Sequence, residues 1–160
     1  MMKLSCDVIS ALQGYTLVTA ESCTGGGIGA ALTDVPGSSA VFKGGIISYT
    51  DEVKIAQLCV DADALRKHGA VSEEVARQMA IGAKERLNAD YAVSVTGLAG
   101  PDGDDFGNPV GTVYIGFSSE RKTVVRKYQF PGNRKEIRDQ AICAALELIL
   151  SLIYEKRTGL

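Results

Sequence analysis

Histidine is almost missing from this chain: His68, in the connection "RKHGAVS", is the only one in 160 residues. A Ser-His-Asp arrangement would have to use it, and its place between helices reads as structural, so that chemistry is disfavoured. The four cysteines, Cys6, Cys23, Cys59 and Cys143, show no paired spacing. That argues against a zinc site or a disulfide framework and fits a reducing cytoplasm. Charge of one sign is lacking too. The formal net charge is −2, so nothing suggests nucleic acid or an anionic membrane as an obligate partner, and neither is expected. Basic residues cluster in "ERKTVVRKYQF" and "GNRKEIR", where a solvated face is the simplest reading. No apolar run is long enough to span a bilayer, and no apolar segment precedes Cys6 in "MMKLSCDVIS", so we expect no signal peptide. Without a repeat, linker or low-complexity segment, residues 1–160 are expected to form one domain, cytoplasmic and large enough to bury a core.

What is present alternates between two periods. Leu4, Val8 and Leu12 recur at helical spacing over residues 3–13. "TLVTA" reads as a buried strand, followed by a helix over 25–32, a "DVPGSS" turn, a second strand at "GGIISY" and a helix at "DEVKIAQL". A short helix is expected over 61–67. Ser72 is placed to cap a longer one reaching Leu87, with Glu73 and Glu74 in its first turn. "YAVSVT" does not alternate, as expected of a strand covered on both faces. "GTVYIGF" and "TVVRKYQF" do alternate, and the short "SSERK" between them predicts an antiparallel hairpin at a sheet edge. A last helix starts near Arg134, with Ala141, Ala145, Leu148 and Leu152 on one face. The expected fold is α/β: a three-layer α/β/α sandwich with a mixed sheet of about five strands, ending in that hairpin.

Ligands of open α/β sheets sit at the carboxyl ends of strands. Three segments fall there: "ESCTGGG", "SYTDEVK" and "TGLAGPDGDDFGNPVG". In the first, Gly25, Gly27 and Ala30 match a G-x-G-x-x-A dinucleotide fingerprint, with Asp51 about twenty residues on. The glycines could equally serve close packing, an anion or an oxyanion. Ser22 precedes that turn, where a serine is more often an N-cap than a nucleophile; a nucleophile needs an activating group. Lys54 begins a helix on the same sheet edge and could serve if burial lowers its pKa from the ordinary value of about 10.4. Tyr49 lies across a strand-to-helix junction from it, unlike the one-face Tyr–Lys pair of short-chain dehydrogenases. Cys23 is an alternative nucleophile, although adjacent side chains diverge. The "DGDD" run has no matching ligands elsewhere, so no metal is expected. Arg134 and Arg138, one turn apart, could fork onto a phosphate or simply be a solvated helix start.

Taken in order, "AESCTGG", "LTDVPGSSAVF", "GGIISYTDEVK", "HGAVSEEVA", "VSVTGLAGPDG", "PVGTVYIGF" and "GNRKEIRDQA" resemble the CinA C-terminal domain family over residues 5–150. The stand-alone members of that family resemble nicotinamide-nucleotide amidases, so the resemblance implies a serine amidohydrolase acting on nicotinamide mononucleotide, without metal or cofactor. It implies Ser22 as nucleophile, Lys54 as base and Tyr49 as a hydrogen-bonding assistant within the pair. Backbone N–H groups of Thr24, Gly25 and Gly26 would hold the oxyanion. Thr96, Gly97, Ala99 and Gly100 would line the nucleotide pocket, and Arg134 and Arg138 would meet the phosphate. Family habit and the edge hairpin favour a homo-oligomer. One position departs from the family: "NPVGT" puts Asn108 where a lysine is common, beside the acidic 102–105 loop. That departure is the sequence support for an alternative, a nucleotide-binding regulatory domain without turnover. A dinucleotide-dependent oxidoreductase rests only on the glycine fingerprint.

Overall fold

A computed structural model describes the backbone of residues 1–158 and the side chains through Glu155. The chain runs α1 (Met2–Ala11), β1 (Leu17–Glu21), α2 (Gly27–Thr33), a 3-10 turn (Ser38–Ala40), β2 (Phe42–Ile47), α3 (Asp51–Leu58), α4 (Ala62–His68), α5 (Glu73–Arg86), β3 (Tyr91–Gly97), β4 (Thr112–Ser118), β5 (Thr123–Gln129) and α6 (Arg134–Thr158). Among the described residues, no helix is long and apolar enough to cross a membrane.

The five strands form one sheet in the order β2-β1-β3-β4-β5. β1 pairs in parallel with both β2 and β3, while β4 is antiparallel to β3 and to β5. This is the expected mixed sheet with its hairpin at one edge. The chain leaves β1 for β2 on one side and returns to β3 on the other. The carboxyl ends of β1 and β3 therefore flank a topological switch point, where a crevice opens.

Period two along the strands sorts side chains into two cores. Leu17, Val93, Val95, Ile115 and Phe117 pack under α1, α2 and α6. Val18, Ala20 and Ala92 pack against Leu58, Leu65, Val75, Met79 and Ala83 on α3, α4 and α5. β1 is buried at all five positions, and β3 at its first six. The helix faces follow the expected spacing, with Ala141, Ala145, Leu148 and Leu152 all buried on α6.

Two boundaries differ from expectation, each for a local reason. α2 begins at Gly27 rather than residue 25, because Gly25 (φ 59°) and Gly26 (φ 95°) turn left-handed before the helix can start. β2 ends at Ile47, so Ser48 and Tyr49 belong to the loop before α3. Thr50 then caps α3 by accepting from the Val53 N–H at 3.5 Å, with Asp51 and Glu52 in the first turn. Ser72 caps α5 as expected, accepting from the Val75 N–H at 3.3 Å.

α3 is brought close to α5 by a glycine. A Cβ on Gly82 would run into the backbone carbonyl of Leu58, at the end of α3. Helix propensity alone would make Gly82→Ala stabilising by about 1 kcal/mol. The backbone collision costs about 1–3 kcal/mol and is the larger effect. We therefore expect Gly82→Ala to lower Tm by roughly 5 °C in a thermal melt. An unchanged or raised Tm would show that α3 does not depend on this close approach.

Candidate active site

Ser22 follows the last residue of β1 and keeps its alternation. Val18 and Ala20 face the α3–α5 layer, and Ser22 continues on that side, 8% exposed. Its own N–H still donates to Val95 O at 2.9 Å, so the residue is anchored to β3 although the strand has ended. Cys23 points the other way and joins the core under α1, α2 and α6. Burial pushes its thiol up to about 11, which keeps it protonated and inert at neutral pH. Of the two adjacent candidates, Ser22 is the one directed at α3.

Lys54 meets it there. The i, i+4 spacing puts Lys54 and Leu58 on the inner face of α3, and Lys54 is 1% exposed. Its Nζ lies 2.8 Å from Ser48 O, 3.4 Å from Tyr49 O and 3.3 Å from Ser22 Oγ. No carboxylate among the described residues forms an ion pair with it. Burial lowers its pKa below the usual lysine value, opposed by the charge of Asp51 and more weakly by Cys23. The neutral amine is thus favoured by desolvation.

The loop after Ser22 is held from two sides. Glu21 is 1% exposed and faces away from Ser22. Its Oε2 accepts from Thr24 Oγ1 at 2.7 Å, Gly26 N–H at 3.1 Å and Ile28 N–H at 2.9 Å, and its Oε1 accepts from Gly29 N–H at 2.9 Å. The N–H groups that a phosphate would use at a glycine-rich turn are occupied by the chain's own carboxylate. That removes the structural basis for the dinucleotide fingerprint. From the other side, Arg138 donates through Nε to Cys23 O and through Nη2 to Thr24 O, both at 3.0 Å.

These bonds revise two expectations. Gly25 N–H closes the turn onto Ser22 O at 3.0 Å, and Gly26 N–H is spent on Glu21, so neither is free for an oxyanion. The N–H groups of Cys23 and Thr24 donate to no backbone carbonyl among the described residues. Because a trans peptide sets C=O and N–H on opposite sides, drawing Cys23 O toward Arg138 turns the Thr24 N–H away from it. Arg138 therefore acts on the loop and does not line the cleft.

A cleft of about 290 Å³ opens in front of Ser22 and Lys54. Tyr49, Thr96, Gly97, Ala99, Gly100 and Arg134 line it, as do Asp51 and Asp102. Thr96 Oγ1 donates to Ala70 O at 2.8 Å, fixing the wall opposite β1. Arg134 reaches across the mouth from the start of α6, donating to Gly100 O at 2.5 Å and to the Tyr49 hydroxyl at 2.9 Å. The Tyr49 hydroxyl thus belongs to Arg134 rather than to the Ser22–Lys54 pair; only its backbone carbonyl reaches Lys54. Asn108 is turned out of the cleft, donating to Val71 O at 3.1 Å and to Asp104 at 2.8 Å. Neither Glu21 nor the Cys23 N–H stands out in the sequence as part of a site. The only signal for the former was an acid preceding a serine and a glycine run. A larger hollow of about 550 Å³ lies at the opposite end of the sheet, near Tyr91, Phe117 and the β4–β5 turn, and contains neither Ser22 nor Lys54.

Known proteins resemble this chain in sequence and fold. The sequence model of the CinA C-terminal domain matches residues 2–153. Nicotinamide-nucleotide amidohydrolase PncC of Escherichia coli K12 is 45% identical over 152 residues, which cover 93% of this chain and 92% of that protein. A CinA-like protein of Geobacter sp. strain M21 is 45% identical over 146 residues, 91% of this chain. The chain spans about a third of the length of such longer relatives, 35% in that case and 31% for a relative from Halothermothrix orenii. The crystal structure of the CinA superfamily protein KP700603 from Klebsiella pneumoniae superposes with a TM-score of 0.93 at 33% identity, covering 96% of this chain and 98% of that one. With sequence and fold agreeing over nearly its whole length, the chain belongs to the CinA C-terminal domain family.

Proposed function

We propose that the chain is a serine amidohydrolase that hydrolyses the carboxamide of nicotinamide mononucleotide to nicotinic acid mononucleotide and ammonia. The observation that carries this reading is the buried Lys54 amine, without an ion-pair partner among the described residues, 3.3 Å from Ser22 Oγ. The likeness to PncC over nine-tenths of both chains supports the substrate.

A neutral lysine nitrogen has two N–H bonds and one lone pair. With the N–H groups directed to Ser48 O and Tyr49 O, the lone pair is left for the Ser22 hydroxyl. Ser22 Oγ attacks the carboxamide carbon as its proton passes to Nζ. The carbonyl oxygen gains negative charge, for which the N–H groups of Cys23 and Thr24, neither given to a backbone carbonyl among the described residues, are the candidate donors. Lys54 returns the proton to the departing nitrogen, so ammonia leaves and an ester to Ser22 remains. A water then attacks that ester, giving its proton to Lys54, and the carboxylate product is released with the Ser22 hydroxyl restored. Arg134, held across the mouth with N–H groups to spare, suits the phosphate at the far end of the substrate.

Three outcomes test this proposal. With purified protein and nicotinamide mononucleotide, ammonia release should fall roughly 10³-fold or more in Ser22→Ala and in Lys54→Met. Full activity in either variant would remove that residue from the mechanism. Arg134→Ala should raise KM about 10-fold or more, with kcat little changed, because it deletes a charge-assisted contact to the far end of the substrate. The third outcome concerns pH. The base must be neutral, so kcat/KM should rise with pH through a pKa below that of ordinary lysine. Asp51 opposes this shift, so Asp51→Asn should move the rising limb to lower pH. Movement to higher pH, or no movement, would mean that Lys54 is not the titrating group.

A further inference from the structure

We infer that Glu21 is a positioning residue for the reaction: a resident carboxylate that shapes the nucleophile loop and so aims the Cys23 and Thr24 N–H groups at the reacting carbonyl. The inference rests on the amidohydrolase reading for its kinetic consequence, though the loop geometry stands without it.

Glu21 is the last residue of β1 and faces the α2 side of the sheet, opposite Ser22. A buried carboxylate is costly unless several donors satisfy it. This one has four: one hydroxyl and three backbone N–H groups, all from residues 24–29. Among the described residues, no other side chain binds so many groups of the loop. Because Gly25 and Gly26 are left-handed, residues 24–29 curl around the carboxylate instead of continuing from β1 into a helix. Arg138 fixes the same loop by its carbonyls, with Nε on Cys23 O and Nη2 on Thr24 O. The two charges thus grip opposite hydrogen-bonding sides of one turn: N–H groups toward Glu21, C=O groups toward Arg138. The Cys23 and Thr24 N–H groups, which neither charge takes, lie next to the nucleophile. Glu21 touches neither Ser22 Oγ nor Lys54 Nζ, so its effect passes through the loop.

An isosteric amide would set an NH2 group against backbone N–H donors, loosening the loop while leaving the cleft wall and Arg134 in place. Glu21→Gln is therefore expected to lower kcat at least 10-fold, with KM for nicotinamide mononucleotide within about twofold of wild type. Glu21→Ala should lose still more activity and leave a cavity lined by unpaired N–H groups. Millimolar formate, a free carboxylate, should restore part of that activity and raise the Tm of Glu21→Ala, with neither effect on wild type. Wild-type kcat in Glu21→Gln, or a kcat loss matched by an equal rise in KM, would overturn the inference. So would indifference of Glu21→Ala to formate in both activity and Tm. If wild type releases no ammonia, the amidohydrolase reading fails, and the formate-dependent Tm of Glu21→Ala alone decides the role of Glu21. If Glu21→Ala does not fold, the split between kcat and KM in Glu21→Gln decides it.

Discussion

A lysine amine buried beside a serine hydroxyl, with two backbone carbonyls as its remaining partners, is the constraint on which the site depends. Burying Lys54 among apolar neighbours disfavours its charge, and an acid placed close by would restore that charge. The sheet solves this by distance and by direction. Glu21, the one fully buried carboxylate among the described residues, sits on the opposite face of β1 and is occupied by four donors. Asp51, at the start of α3, is exposed and opposes the shift without cancelling it. Were Glu21 on the other face of the strand, its carboxylate would lie on the Lys54 side and favour the charged amine.

The same separation governs the loop. Opposite charges from two parts of the chain, Glu21 at the end of β1 and Arg138 on α6, hold its two hydrogen-bonding sides. An anion-binding turn is thereby converted into an internal structural element. A glycine-rich segment at a strand's carboxyl end is ordinarily a candidate phosphate cradle. Here the position is filled by the protein itself, and the arginine that lines the cleft is Arg134, at its mouth. In the proposed reaction, a substrate with a carboxamide at one end and an anion at the other would lie between Ser22 and Arg134.

Much of this was legible in the sequence because it depends on local rules. Period two along β1 places Ser22 and Cys23 on opposite sides, and period 3.6 along α3 places Lys54 with Leu58 on the buried face. Strand and helix order implied the mixed sheet, and the motif series from "AESCTGG" to "GNRKEIRDQA" pointed to the family. Less legible were the places where one polar group meets another from a distant segment. The Tyr49 hydroxyl, expected to assist within the Ser22–Lys54 pair, is bonded to Arg134, 85 positions away in sequence, and only the Tyr49 carbonyl reaches Lys54. Arg138 was expected on a phosphate and instead bonds carbonyls 115 and 114 residues earlier. As oxyanion donors Gly25 and Gly26 are both excluded: the Gly25 N–H closes the turn onto Ser22 O, and the Gly26 N–H is bonded to the Glu21 carboxylate.

By itself, then, the sequence determined the alternation that separates Ser22 from Cys23, the helix face that buries Lys54 and the strand ends that gather the site. These follow from backbone periodicity and apolar burial, which act residue by residue along the chain. The tertiary structure alone decided which loop donors beside Ser22 are bonded within the fold and which arginine lines the cleft. A hydrogen-bonding group is available to a ligand only after its competitors in the fold have been counted, and Glu21, Tyr49 and Arg138 reach their partners only when separate segments pack together.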